Sequence, residues 1–73
     1  MTTEMLYKQK LDYLKNELGP DCISIPAAAR FLHMDEDTLR ADPSFPCFFI
    51  GTRRRVSIDS FARWLAEREA RRR

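Results

Sequence analysis

Phe48-Phe49-Ile50-Gly51-Thr52-Arg53-Arg54-Arg55-Val56-Ser57-Ile58 is the stretch that decides the fold of this chain. An apolar run, a glycine, three consecutive cations and an alternating apolar run predict two short strands around a tight turn, with the arginines at its tip. Val56 and Ile58 should point to one side and Arg55 and Ser57 to the other, because side chains alternate along a strand; the same parity separates Arg53 and Arg55 from Arg54. Three adjacent guanidinium groups repel one another unless an anion lies among them. Phosphate is the best chemical match, since arginine's planar fork suits its oxygens and its charge is permanent. The plainer alternative is a solvated turn whose charges blunt an edge strand.

Downstream, Asp59 is the expected cap of a last helix in which Phe61, Trp64 and Leu65 make an i, i+3, i+4 apolar face. Arg63 and Glu67 are spaced as an i,i+4 pair, and Arg68, Arg71, Arg72 and Arg73 load the C-terminal end, where cations suit the helix dipole. Phe48, Phe49, Phe61 and Trp64 are expected in the core, because so small a domain needs its aromatics inside.

Upstream, Phe45-Pro46 leads into the hairpin. Before it, Asp35 reads as the N-cap of a short helix from Glu36 to Ala41, stopped ahead of Asp42-Pro43. Glu36 and Asp37 in its first turn complement the dipole. His33-Met34-Asp35 separates it from a helix of about two turns that opens behind Ser24 with Pro26 in its first turn, and in which Ala28, Phe31 and Leu32 share a face. Two short helices joined by such a turn form a helix-turn-helix. Asp21 to Ile25 alternates polar and apolar residues, as a short strand or an extended lead-in. Residues 3–18 carry Tyr7, Leu11, Leu14 and Leu18 at helical spacing, with Glu4–Lys8 and Lys8–Asp12 pairs on the other surface, Thr3 as N-cap and Gly19-Pro20 as the stop, the glycine in a left-handed cap. This helix either packs on its own domain or forms a dimerising seam.

Seventy-three residues allow one domain, which buries only about 60% of its unfolded surface and presents a surface more readily than it encloses a pocket. With 44% apolar and 33% charged residues the chain should be globular. The net charge is +2, unevenly placed: residues 1–42 carry −3 and residues 43–73 carry +5, every cation of the second part being arginine. Such asymmetry points to an oriented contact with a polyanion. Cys22 and Cys47 form no CxxC pair, and with His33 as the sole histidine they make no metal-ligand set. Both are expected to be buried, reduced thiols in a cytosolic protein. No cationic-then-apolar targeting pattern opens the sequence, and the longest apolar run, Phe45 to Ile50, is too short to span a bilayer. The acids are scattered or serve as caps and no nucleophile–base pair is visible, so neither an enzyme nor a cofactor is expected.

Ser24-Ile25-Pro26-Ala27-Ala28-Ala29-Arg30-Phe31-Leu32, Asp35-Glu36-Asp37-Thr38-Leu39-Arg40, Phe45-Pro46-Cys47-Phe48-Phe49-Ile50-Gly51 with Arg53-Arg54-Arg55-Val56, and Asp59-Ser60-Phe61-Ala62-Arg63-Trp64-Leu65 follow one another in an order that resembles the excisionase-type winged helix-turn-helix, related to the DNA-binding domains of MerR-like regulators. The resemblance covers about residues 23–66. It implies a mainly α fold with a small β-hairpin, here with an extra N-terminal helix: residues 1–19 the helix, 20–70 the winged domain, 71–73 a basic tail. It further implies double-stranded DNA as partner, with the second helix of the motif in the major groove and the wing on the backbone or minor groove. The tasks implied are assisting an integrase or recombinase in excising a mobile element, or regulating transcription, with weak self-association on DNA. In this chain the inter-helix turn carries His33 where the family usually has glycine, and histidine tolerates a left-handed backbone.

The candidate contacts are Asp37, Thr38, Arg40, Arg53, Arg54 and Arg55. Arg40 has the reach to bridge O6 and N7 of guanine, and Asp37 either accepts from a cytosine amine or stabilises its helix dipole. Thr38 either donates to a phosphate or packs, while Leu39 belongs to the core. The acidic opening of this helix shifts the expected electrostatic hold to the wing. A different class of reading, a protein-interaction adaptor, would use the N-terminal helix and the acidic face to hold an integrase or transcription partner, with minor DNA contact.

Overall fold

Four helices and three strands make up the computed structural model, which describes residues 2–71. They run α1 (Thr3–Leu18), β1 (Cys22–Ser24), α2 (Ile25–Leu32), α3 (Glu36–Ala41), β2 (Phe48–Ile50), β3 (Arg53–Ser57) and α4 (Ile58–Ala70). Helix makes up 61% of the structure, and the strands form one antiparallel sheet in the order β1-β3-β2. The segment open to two readings is a strand: Cys22, Ile23 and Ser24 pair with Ser57, Val56 and Arg55, so the expected hairpin gains a third strand.

Local side-chain chemistry sets the helix boundaries. Ser24 Oγ accepts from the Ala27 N–H at 3.2 Å and Asp35 Oδ2 from the Thr38 N–H at 3.3 Å, each satisfying a donor that has no partner within its helix. Two caps differ from expectation by position. Thr2, not Thr3, caps α1 by accepting from the Met5 N–H at 3.2 Å. Ser57, not Asp59, caps α4 by accepting from the Ser60 N–H at 3.0 Å, because β3 hands over directly to the helix. Ile58 is therefore helical rather than a strand residue, and Asp59 lies in the first turn, where its charge suits the dipole.

Between α2 and α3 the chain turns at His33, with φ 55° and ψ 44°, a left-handed conformation. The Met34 N–H reaches the Ala29 carbonyl at 2.9 Å and the His33 N–H the Arg30 carbonyl at 3.2 Å, the paired bonds of a Schellman motif. Gly19 ends α1 with φ 91° and ψ 170°; the positive φ needs glycine, but the backbone is extended rather than left-handed helical.

The core joins all layers. Leu14 from α1, Ile25, Ala28 and Ala29 from α2, Leu39 from α3, Ile23 and Val56 from the sheet, and Ile58, Phe61 and Ala62 from α4 form one buried cluster with Phe45. Phe61 lies at its centre, its ring 5.9 Å from Phe31, 5.7 Å from Phe45 and 6.2 Å from Trp64. Phe31, Leu32, Trp64 and Leu65 pack half-buried around it, with Tyr7, Leu11 and Leu18.

α1 lies against α4. Tyr7 donates its hydroxyl to Asp59, and Arg63 sits 3.9 Å above the Tyr7 ring while bonding Glu4 at 3.2 Å. Hydrogen bonding to the Asp59 carboxylate raises the Tyr7 pKa, and bonding to Glu4 raises that of Arg63. Arg63 and Glu4 thus pair across the helix interface, not with Glu67 and Lys8 as their i,i+4 spacing suggests. On the other side of α4, Arg68 stacks 4.7 Å over Trp64 and bonds both Asp42 at 3.0 Å and Ser44 at 2.6 Å. Ser44, donating from its hydroxyl and its backbone N–H, holds the Asp42 carboxyl below its ordinary pKa. This cluster ties the loop after α3 to α4.

Two expectations about burial fail. Phe48 and Phe49 stand in the open rather than in the core: Phe49 shares the face of Ile23 and Val56 but lies beyond the level at which it is covered, and Phe48 points to the opposite face. Cys22 and Cys47 are free but exposed, one on the edge strand β1 and one just before β2. Arg72 and Arg73, the end of the expected basic tail, lie outside the described residues.

Candidate nucleic-acid interface

β2 and β3 are joined by Gly51-Thr52 alone, a two-residue turn in which only the glycine has a positive φ, 65°. Positive φ at the first turn position is what a type II′ hairpin demands. The turn's brevity draws all three arginines out of the tip and into the β3 ladder: Arg53 opposes Ile50, Arg54 opposes Phe49 and Arg55 opposes Phe48. Arg53 and Arg55 therefore share one sheet face with Phe48 and Ile50, and Arg54 shares the other with Phe49, Val56 and Ile23. The Arg54 guanidinium sits 5.4 Å from the Phe49 ring centre. No ion pair neutralises any of the three arginines among the described residues.

The hairpin and the helix pair enclose a cleft of about 390 Å³. Ser24, Ile25 and Pro26 at the start of α2, Arg40 of α3, and Phe49, Thr52 and Arg53 to Arg55 line it. Four guanidinium groups thus border one concave surface, which also receives the positive end of the α2 dipole. Four of the six sequence-derived candidates, Arg40, Arg53, Arg54 and Arg55, come together there.

Asp37 and Thr38 do not line the cleft. The Asp37 side chain is 91% exposed and lies 3.8 Å from Arg40. The Thr38 hydroxyl is 3.4 Å from the Asp35 carboxylate that caps its own helix. Arg40 is held by Glu36, one turn earlier, as well as by Asp37. Local acids therefore satisfy Arg40 in the free protein, and a base contact requires it to leave them. Arg53, Arg54 and Arg55 face no such competition among the described residues.

Sequence reasoning misses five residues of this surface. It places Phe49 in the core, and it gives Ser24, Ile25, Pro26 and Thr52 no role beyond starting a helix or closing a turn. The signal that finds Phe49 is strand parity carried beyond the core: a residue paired with Arg54 is poor company for Val56 unless that end of the sheet is uncovered. Among the described residues no group of three or more His, Cys, Asp or Glu side chains could hold a metal ion, and no helix is long and apolar enough to cross a membrane. Comparison of the chain with protein-family models, with curated proteins and with solved structures finds no match.

Proposed function

We propose that this protein is a winged helix-turn-helix domain that binds double-stranded DNA, with α2 and α3 as the helix-turn-helix, α3 directed to the major groove, and the β2–β3 hairpin as the wing on phosphates and the minor groove. The observation that carries this reading is the convergence of Arg40, Arg53, Arg54 and Arg55 on one cleft, three of them without an acidic partner among the described residues. Arginine in a concave, solvent-open groove suits phosphate rails and base edges. The acids around Arg40 weaken nonspecific hold by α3 and leave it to the wing. Arg40 released toward a guanine then exchanges one ionic partner for a bidentate one, so its contribution is to choice of site.

In biological role the reading is that of an excisionase-like recombination factor or a small mobile-element regulator, working beside an integrase or on a promoter. It has no catalytic step and no cofactor. The test is gel retardation of a random-sequence duplex at low salt. Micromolar protein is expected to retard it, with retardation fading as salt rises because counterions released on binding drive association. Absence of retardation at that concentration would instead favour an adaptor that engages a protein partner through α1 and the acidic face of α3.

A further inference from the structure

Phe48, Phe49 and Ile50 are 40, 62 and 58% exposed, three consecutive apolar residues, whereas the other exposed large apolar side chains among the described residues, Met5, Tyr13 and Met34, stand singly. Isolated exposed apolar residues are ordinary, but a hairpin end that is apolar on both faces, with Phe49 on one and Phe48 and Ile50 on the other, calls for an occupant. Each of the three opposes an arginine across the ladder, so the wing presents paired apolar and cationic side chains. That pattern complements a duplex groove, in which base faces and edges lie between two phosphate rails. Phe49 lines the concave cleft that holds Arg40, a shape that receives a convex rod rather than a flat bilayer.

We propose that Phe49 is an apolar wedge that enters the minor groove of duplex DNA and partly unstacks one base step. This rests on the double-stranded DNA reading above. The minor groove is about 6 Å wide, enough for a single aromatic edge carried on a two-stranded tip. Side-chain wedges of this kind kink the duplex by roughly 20–90°. Arg54, stacked on the Phe49 ring, orders the wedge before binding and carries a cation to the groove with it. Insertion favours pyrimidine–purine steps such as TA, which unstack most easily, over stiff A-tracts.

The experiment uses the full chain and an alternating A–T duplex containing 2-aminopurine, whose fluorescence rises when it loses its stacking partner. The wild-type protein should retard this duplex and raise the fluorescence, and should raise it less on an A-tract duplex of equal length. Phe49→Ser should abolish the rise while keeping the salt dependence of binding, and Phe49→Leu should keep most of it. Coincident thermal melts would show that these variants fold, as expected for an exposed position. Retardation by the wild type without a fluorescence rise, or an undiminished rise with Phe49→Ser, overturns the wedge and leaves the DNA reading standing. Failure to retard any duplex overturns both. Equal affinity for single strands, loss by Phe49→Ser of binding to phosphatidylserine vesicles with the DNA signal unchanged, or its conversion of a dimer to a monomer with the signal unchanged, would each assign the patch elsewhere and overturn the proposal.

Discussion

Replacing Arg53, Arg54 and Arg55 together by alanine is expected to flatten the log–log salt dependence of duplex affinity by about 0.9 for each phosphate no longer neutralised, roughly 2.7 if all three touch phosphate. Fluorescence anisotropy of a labelled duplex between about 50 and 200 mM salt, the range over which several such pairings cost decades of affinity, reads this directly. The variant should keep its fold. The three side chains form no ion pair among the described residues, and the sheet contributes to the core through Val56 and Ile23. An unchanged slope in a folded variant would remove the wing from the interface.

Phe61→Ala is expected to cost about 3–5 kcal/mol, the usual loss for a buried phenylalanine. The ring is fully buried and meets Phe31, Phe45 and Trp64, so no flexible neighbour is free to fill the space. A domain of this length has a total stability of only about 4–11 kcal/mol. The substitution therefore removes a large share of it, and urea unfolding should show the midpoint falling sharply or no folded baseline at all. A loss below about 1 kcal/mol would mean that Phe61 does not join the helix layers as described. Duplex binding should fall with it, because Phe61 shares the buried cluster with Leu39 of α3 and Val56 of β3.

Much of this architecture is legible in the residues alone, because most elements begin and end on local chemistry. Ser24 and Asp35 cap the helices they precede, His33 takes the left-handed turn, and the bounds of α3 follow from Asp35 on one side and Asp42-Pro43 on the other. The caps of α1 and α4 are less legible because hydroxyl and carboxylate candidates stand within two residues of each other, and backbone direction chooses between them. Ser57 wins over Asp59 only because β3 runs straight into the helix. Long-range partners are not legible at all. Arg63 has a good local acid at Glu67 yet pairs with Glu4, since packing α1 on α4 brings that carboxylate and the Tyr7 ring to it.

The site shows the same division. The clustering of cations is readable, since three of the arginines are adjacent in sequence. Their placement on the strand instead of the turn depends on a two-residue loop that composition does not distinguish from a longer one. The rule that sends aromatic residues to the core holds for Phe61, holds in part for Trp64, which packs half-buried against it, and fails for Phe48 and Phe49. It fails for Phe49 because the hairpin projects past its cover, whose extent no local pattern reports, and for Phe48 because the register turns it to the face opposite Val56.

The proposed function requires duplex DNA to lie in the cleft between the hairpin and the helix pair. Backbone amide shift mapping of the isotope-labelled protein titrated with a duplex tests this placement. The predicted result is a set of shifted amides at residues 24–27, at Arg40 and along residues 49–55, with the Lys10–Glu69 side of α1 and α4 unmoved. Shifts confined to α1 and the outer face of α4, with the hairpin silent, would contradict it.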